Sequence, residues 1–207
     1  MQLPPGHAAA GAWKHGARGW QTAGPGTGDC MTVQLVRCSA RRLAEQKRAV
    51  AQLLVDVVAD GASVGFLPPL PEEEAAAYWA DVEAELAHGH RELLLAERDG
   101  LVVGTVQLEL ARKPNARHRA EVTKLLVHPT ARRQGVGRLL LQEVEQLARS
   151  HGRTLLHLDT REGDVAEQLY VHHGYRRVGR IPDYVRDEHG KLEATIVYYR
   201  VLEAAPG

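Results

Sequence analysis

The sequence predicts one mixed α/β domain with a mostly antiparallel sheet flanked by helices. Three observations carry this. Helical and strand-like periodicities alternate from residue 32 onward, three strand-like runs follow one another over 91–127, and a helix–strand–helix–strand-pair pattern completes the chain.

The elements follow in order. "VQLVRC" (33–38) alternates as a strand does. Over 40–60, Val50, Leu53, Leu54, Val57 and Val58 keep the i, i+3, i+4, i+7, i+8 spacing of a helix with one buried face. "GASVGFLPPLP" is a turn-rich connector. Pro71 with Glu72 to Glu74 suits a helix N-terminus, and that helix runs to about Gly89. "RELLLAERDGLVVGTVQLELA" reads as two strands joined at Asp99-Gly100, a hairpin signal. "RKPNARHR" is a second turn, and "AEVTKLLV" (120–127) the third strand of the run. A helix then extends to about His151, with a buried stripe of Val136, Leu139, Leu140, Val144, Leu147 and Ala148. A strand "TLLHLDT" (154–160), a short helix (164–173) stopped by Gly174, and the strand-like "YRRVGRI" and "KLEATIVYYRVL" finish the pattern. No repeat and no second domain are evident.

Composition narrows the function classes. The chain has 207 residues, 44% hydrophobic and 25% charged, with a formal net charge of zero. Nothing in that balance favours nucleic acid or an anionic membrane surface. No apolar run approaches the roughly 18–20 residues of a membrane span. The two cysteines, Cys30 and Cys38, form no disulfide framework and lack metal-ligand spacing. A reducing, cytoplasmic setting follows, with no metal. Residues 1–31 are rich in Gly, Ala and Pro, show no periodicity and lack the pattern of a secretory signal, so they read as a disordered or mis-assigned extension despite Trp13 and Trp20. The folded domain is expected over 32–204.

The chemistry concentrates in "ARRQGVGRLL" (131–140), where two glycines open a helix. Glycine destabilises a helix interior by about 1 kcal/mol relative to alanine, so the pair needs a reason. Helix N-termini present unpaired N–H groups that bind phosphate, and bare positions at Gly135 and Gly137 would let a phosphate reach the backbone. Residues 112–138 hold Arg112, Lys113, Arg117, Arg119, Lys124, Arg132, Arg133 and Arg138 against the single acid Glu121. The competing reading is that both glycines serve close helix–sheet packing. A P-loop is excluded by the absent G-x-x-x-x-G-K-[ST], and a dinucleotide fingerprint by Leu140 where glycine would be required.

A third motif fits. Val127-x-Pro129, a short spacer and Arg132-x-x-Gly135-x-Gly137 before a helix resemble motif A of the GNAT N-acetyltransferase superfamily, and "AEQLYVHHGYRRVG" resembles its motif B through Tyr170, Gly174 and Tyr175. The resemblance implies a GNAT-like domain with a sheet splayed at an acetyl-CoA cleft. Arg132, Arg133, Gln134, Gly135, Val136, Gly137 and Arg138 would hold the pyrophosphate, and amides near Leu126 and Val127 would serve as oxyanion donors. "GASVGF", "KPN", "RAEVTKLLV", "EVEQLA" and "LLHLDT" resemble acetyltransferases of the tabtoxin-resistance type, which acetylate an amine of a β-lactam amino-acid toxin. One departure stands out: an Asn common seven residues before the motif-B tyrosine is Gly163 here. Related enzymes often form homodimers.

Acetyl transfer to an amine sets its own demands. The amine must be neutral, although amines of this kind titrate near 8 to 10. The thiolate leaving group needs a proton donor and the carbonyl oxygen an N–H. Glu121, at the start of an otherwise apolar strand, and Asp159, at a strand C-terminus on the face of Leu155 and His157, are the candidate bases and acceptor-binding acids. Period-2 alternation suggests that Asp159 is partly desolvated, with a raised pKa. Each acid could equally cap a turn or pair with an arginine. Tyr170, four residues before Gly174, matches the family tyrosine that protonates the coenzyme A thiolate; a core tyrosine is the alternative. Asn115, in the basic turn, is a candidate acceptor contact, beside the reading of a solvated loop. The eleven histidines lack zinc spacing. The sequence thus reads as an acetyl-CoA-dependent N-acetyltransferase of a small-molecule amine working in a ternary complex, with no nucleic-acid or membrane partner. A non-catalytic acyl-CoA-binding sensor or scaffold and an acetyltransferase of protein amines are the rivals.

Overall fold

In the computed structural model, residues 18–21 and 32–203 are described. Thr32–Arg37 forms strand β2, and a shorter strand β1 (Arg18–Gln21) lies antiparallel to it. The sequence pattern gave no sign of β1. The rest of the expected 1–31 extension lies outside the described residues. After β2, the Ser39 side chain accepts a hydrogen bond from the Arg42 N–H at 3.2 Å and caps α1 (Ala40–Ala59), an interaction worth about 1 kcal/mol. Helix α2 (Glu72–Ala87) follows Pro71 and carries three acids in its first turn.

The hairpin signal is realised. Strands β3 (Arg91–Arg98) and β4 (Leu101–Leu110) turn at Asp99 and Gly100, both with positive φ. A 3-10 turn over Pro114–Ala116 leads to β5 (Arg119–Val127), and a second over Pro129–Ala131 precedes α3 (Val136–Ser150). Next come β6 (Leu155–Arg161), α4 (Ala166–His172), β7 (Arg176–Arg186) and β8 (Leu192–Val201). Strand β7 continues well past the expected 175–181. Pro182 interrupts the pattern in sequence, but β7 is an edge strand, where a missing N–H donor is tolerated, and its register shifts between Ile181 and Val185.

The eight strands form one sheet in the order β1-β2-β3-β4-β5-β6-β8-β7. Every pairing is antiparallel except β5–β6. Helices α1 and α2 cover one face, where Leu53, Leu54, Val57, Val58 and Trp79 pack on Leu93, Leu95 and Leu126. Helices α3 and α4 cover the other, where Val136, Leu140, Leu141, Val144 and Tyr170 pack on Leu94, Val106, Leu156 and Ile196. Alternation along β3 sends Leu93 and Leu95 one way and Leu94 and Ala96 the other. Leu139, expected in the α3 stripe, is partly buried against the same core. Among the described residues no helix is long and apolar enough to cross a membrane.

Candidate active site

Strands β5 and β6 run side by side only over Arg119–Glu121 and Leu155–His157. Beyond that they part, although β5 continues to Val127 and β6 to Arg161. The splay opens a slot through the middle of the sheet, and the candidate residues other than Asn115 lie about it.

At the top of the slot the chain turns from β5 into α3. Arg133 and Gly135 both adopt left-handed φ, +58° and +81°, and Gly135 is the N-cap residue. No acid occupies the first turn of α3 and no side chain caps it, so its first N–H groups are left for an anion. Arg132 is occupied: its Nε donates to the Val127 carbonyl at 3.2 Å and its guanidinium pairs with Asp60 beyond the C-terminus of α1. Gln134 braces the loop, accepting from Arg98 Nη1 at 2.6 Å and donating to the Thr130 carbonyl at 2.8 Å. Arg133 and Arg138 are exposed and pair with none of the described residues. The loop thus offers backbone N–H groups and two unengaged cations, which fits a pyrophosphate.

The two glycines have separate tasks. Gly135 supplies the left-handed turn. A Cβ on Gly137 would stand 3.4 Å from Leu169 Cδ2 and 3.6 Å from Val127 Cγ2, so its bareness seats α3 closely against α4 and β5. Val136 and Leu126 are buried in the two cores, which leaves only their backbone for a ligand. Gly104 on β4, unmarked in the sequence reading, lies beneath this corner: a Cβ there would meet the Leu126 carbonyl oxygen at 2.9 Å and Leu140 Cδ1 at 3.0 Å.

Tyr170 projects from α4 into the core on the α3 side, its ring centroid 5.8 Å from that of Tyr175 and 6.1 Å from that of Tyr198. Its hydroxyl hydrogen-bonds to none of the described residues. Burial, reinforced by Asp164 and Asp159, pushes its pKa upward, so it holds its proton at neutral pH.

The carboxylates lie on the α1/α2 face. Glu121 is half-buried, and burial, then the charges of Glu109 and Asp159, raise its pKa above the usual carboxylate range. Asp159 shares its face with Leu155 and His157 as expected, but that face is the open one and Asp159 is exposed rather than desolvated. Leu156 and Leu158 take the buried side instead. The Thr195 hydroxyl, on β8, lies 2.8 Å from both Asp159 Oδ2 and the Thr160 carbonyl and shares one proton between them. His157, directly across from Glu121, is driven toward its neutral form by burial and by Arg119. Asn115 is not brought to this group. It sits on the exposed turn at the opposite end of β5 from the start of α3. Among the described residues no cluster of three or more His, Cys, Asp or Glu is arranged to hold a metal.

A cavity of about 430 Å³ lies at the C-terminal end of β6, walled by the α1–α2 connector at Ser63 and Phe66, by Arg161 and by the β7–β8 turn at His189. Arg161 closes its floor by donating to the Gly61 carbonyl at 3.2 Å and pairing with Glu193 at 3.5 Å. Lys124, Gln107, Thr195 and Gly104 were not singled out from sequence. Only the irregular strand register, invisible in a linear pattern, brings the first two together.

A sheet parted between β5 and β6, with a glycine-capped helix start at the parting, is the arrangement that the resemblance to acetyltransferases implies. The chain matches the acetyltransferase (GNAT) family over residues 51–179, and it belongs to that family. An uncharacterised N-acetyltransferase from the hisH–hisA intergenic region of Azospirillum brasilense is 37% identical over 109 residues, 52% of this chain and 63% of that protein. This chain therefore spans less than two thirds of that relative's length. Among solved structures, a ribosomal-protein-alanine N-acetyltransferase from Brucella melitensis superposes with a TM-score of 0.68 at 22% identity, covering 81% of this chain and 99% of that one. The acetyltransferase yncA of Salmonella typhimurium, solved with its cofactor acetyl-CoA, superposes with a TM-score of 0.67 at 18% identity over 84% and 96% of the two chains. At these identities the superpositions establish the fold.

Proposed function

We propose that this chain is a cytoplasmic N-acetyltransferase that moves the acetyl group of acetyl-CoA directly onto a primary amine of a small, amino-acid-like molecule. The observation that carries the reading is the slot between β5 and β6, because it joins the α3 start and Tyr170 on one face to Glu121 and Asp159 on the other. The α3 N-terminus with Arg133 and Arg138 would hold the pyrophosphate, and amides near Leu126 and Val127 would face the thioester oxygen. The amine nitrogen forms its bond to the acetyl carbon as the carbon–sulfur bond breaks. Glu121 or Asp159 takes the amine proton, directly or through water, and Tyr170 gives its proton to the departing thiolate. No cysteine lies in either motif region to carry the acetyl group, which favours a ternary complex over a covalent intermediate. The acceptor classes to test are β-lactam amino acids, as in toxin resistance, other amino acids, polyamines and peptides. A homodimer is the expected assembly, with no nucleic-acid or membrane partner.

Thiol release from acetyl-CoA across that amine panel tests the reading. Tyr170→Phe is expected to lower kcat by about 10²- to 10⁴-fold with coenzyme A affinity, measured by calorimetry, little changed. Undiminished turnover in both Tyr170→Phe and Asp159→Asn would defeat the mechanism. Acetyl-CoA binding without thiol release on any amine would replace the enzyme with a sensor.

A further inference from the structure

Lys124 is the residue that an irregularity between β4 and β5 inserts. Thr105 stands opposite Leu126 and Gln107 opposite Thr123, so Lys124 and Leu125 together face the single residue Val106. Lys124 takes a φ of +50°, and the Thr105 hydroxyl fixes it by donating to its carbonyl at 3.1 Å. A long L side chain in a left-handed conformation is strained, and such residues gather at ligand sites.

The bulge turns the side chain onto the α1/α2 face, where Nζ stands 5.4 Å from the Tyr78 ring centroid and 5.9 Å from that of Phe66. The rings give a cation–π cradle. Although Glu109, Glu121 and Asp159 share this face, no carboxylate among the described residues comes within ion-pair distance of the ammonium. Burial, then Arg91, presses its pKa down, against the more distant pull of Glu109, Asp159 and Glu121.

Gln107, fully buried on β4, stands at the same irregularity. Its Oε1 accepts from the Tyr78 hydroxyl at 2.9 Å and from the Arg91 guanidinium, while its Nε2 has no partner among the described residues. A buried donor without an acceptor is costly and rare. Both side chains thus contact Tyr78, Lys124 at its ring and Gln107 at its hydroxyl, and each carries a donor without an acceptor among the described residues.

We infer that Lys124 and Gln107 form a carboxylate-holding subsite and that the acetyl acceptor is accordingly an amino acid, its amine toward Glu121 and Asp159 and its carboxylate on Lys124 Nζ and Gln107 Nε2. The charge count selects a carboxylate over a phosphate. At the irregularity itself Arg91 is already committed to Glu85 and Glu109, which leaves one ammonium and one amide N–H as donors, a match for the two oxygens of a monoanion. This assignment rests on the acetyltransferase reading and determines the substrate class of that same site.

The test compares amino acids with their decarboxylated counterparts, such as lysine with cadaverine and β-alanine with ethylamine, on the full chain. Wild type is expected to favour the amino acid by about 10- to 100-fold in kcat/KM, the loss of one charge-assisted hydrogen bond. Lys124→Met is expected to erase that preference by raising KM for the amino acid, and Lys124→Arg to restore part of it. Equal use of acid and amine by wild type, or an unchanged preference in Lys124→Met, overturns the subsite and leaves the enzyme reading standing. If no amine releases thiol, the enzyme reading fails. Calorimetry of the same pairs on wild type then decides the subsite: tighter binding of the amino acid upholds it, and equal binding or none overturns it. Should Lys124→Met fail to fold, Gln107→Glu, which sets a repelling carboxylate in the subsite, is expected to raise KM for the amino acid alone.

Discussion

Replacing Gly104 by alanine tests how tightly the β5 end of the slot is seated. The added Cβ would lie 2.9 Å from the Leu126 carbonyl oxygen, 3.0 Å from Leu140 Cδ1 and 3.3 Å from Val136 Cγ1. The first is backbone and cannot swing aside, so β4 must part from β5 and from the start of α3. Overpacking of this kind costs about 1–3 kcal/mol. Alanine recovers about 0.4–1 kcal/mol by narrowing the unfolded chain. The net loss is therefore up to about 2.6 kcal/mol and centred on about 1.3 kcal/mol, or a fall in Tm of about 3–5 °C at the centre for a chain of this size. Because the displaced atoms belong to the α3 start, coenzyme A affinity should weaken as well. Urea unfolding gives the first quantity and calorimetry the second. Gly179→Ala on β7 is the control: its Cβ would meet nothing within 4 Å, so it should be neutral or slightly stabilising. If Gly104→Ala behaves like Gly179→Ala in both assays, the steric account of this corner is wrong.

Gly135→Ala forces a Cβ into a φ of +81° and should cost about 1–2 kcal/mol together with coenzyme A affinity; unaltered binding in calorimetry would remove Gly135 from the phosphate cradle. Glu121 and Glu92 should give opposite pH slopes in urea unfolding. The folded state raises the Glu121 pKa, so ionisation penalises folding; Glu121→Gln should gain stability at pH 7, and the gain should vanish below about pH 4, where the unfolded chain is also protonated. Glu92, buried between Arg37 at 2.5 and 2.8 Å and His151 at 2.8 Å, has a lowered pKa: burial alone would raise it, but its hydrogen bonds to His151 and Arg37 prevail. Its contribution is complete above about pH 4.3 and lost as pH falls through the folded value. Glu92→Gln should cost about 1–3 kcal/mol at pH 7, a range reduced because Arg37 is one-third exposed, and the gap to wild type should close in acid.

Local signals carried much of the architecture. The Asp99-Gly100 turn, the apolar stripe of α3 and the glycine at 135 each act within a few residues, and periodicity reads such features well. Long-range pairing left no comparable mark. Nothing local tells that β8 enters between β6 and β7, that β1 adds to the edge, or that β4 and β5 slip register at Lys124. Asp159 shows the limit within one strand. Alternation correctly put it with Leu155 and His157, yet which face is open depends on where α3 and α4 pack. Gly104 was silent for the same reason: its neighbours Leu126 and Leu140 come from distant segments.

The placement of β8 has a consequence for how the molecule comes into being. β6 emerges from the ribosome well before its antiparallel neighbour, and the residue that orients Asp159 follows it by 36 positions. Strand β7, made in between, has no sheet partner until β8 arrives. A nascent chain halted between the two would expose the open side of β6, with Asp159 lacking its Thr195 partner. Completion of the β6 side of the slot is thus deferred to a late hairpin insertion, while the α3 corner, built from β4, β5 and α3, is complete much earlier.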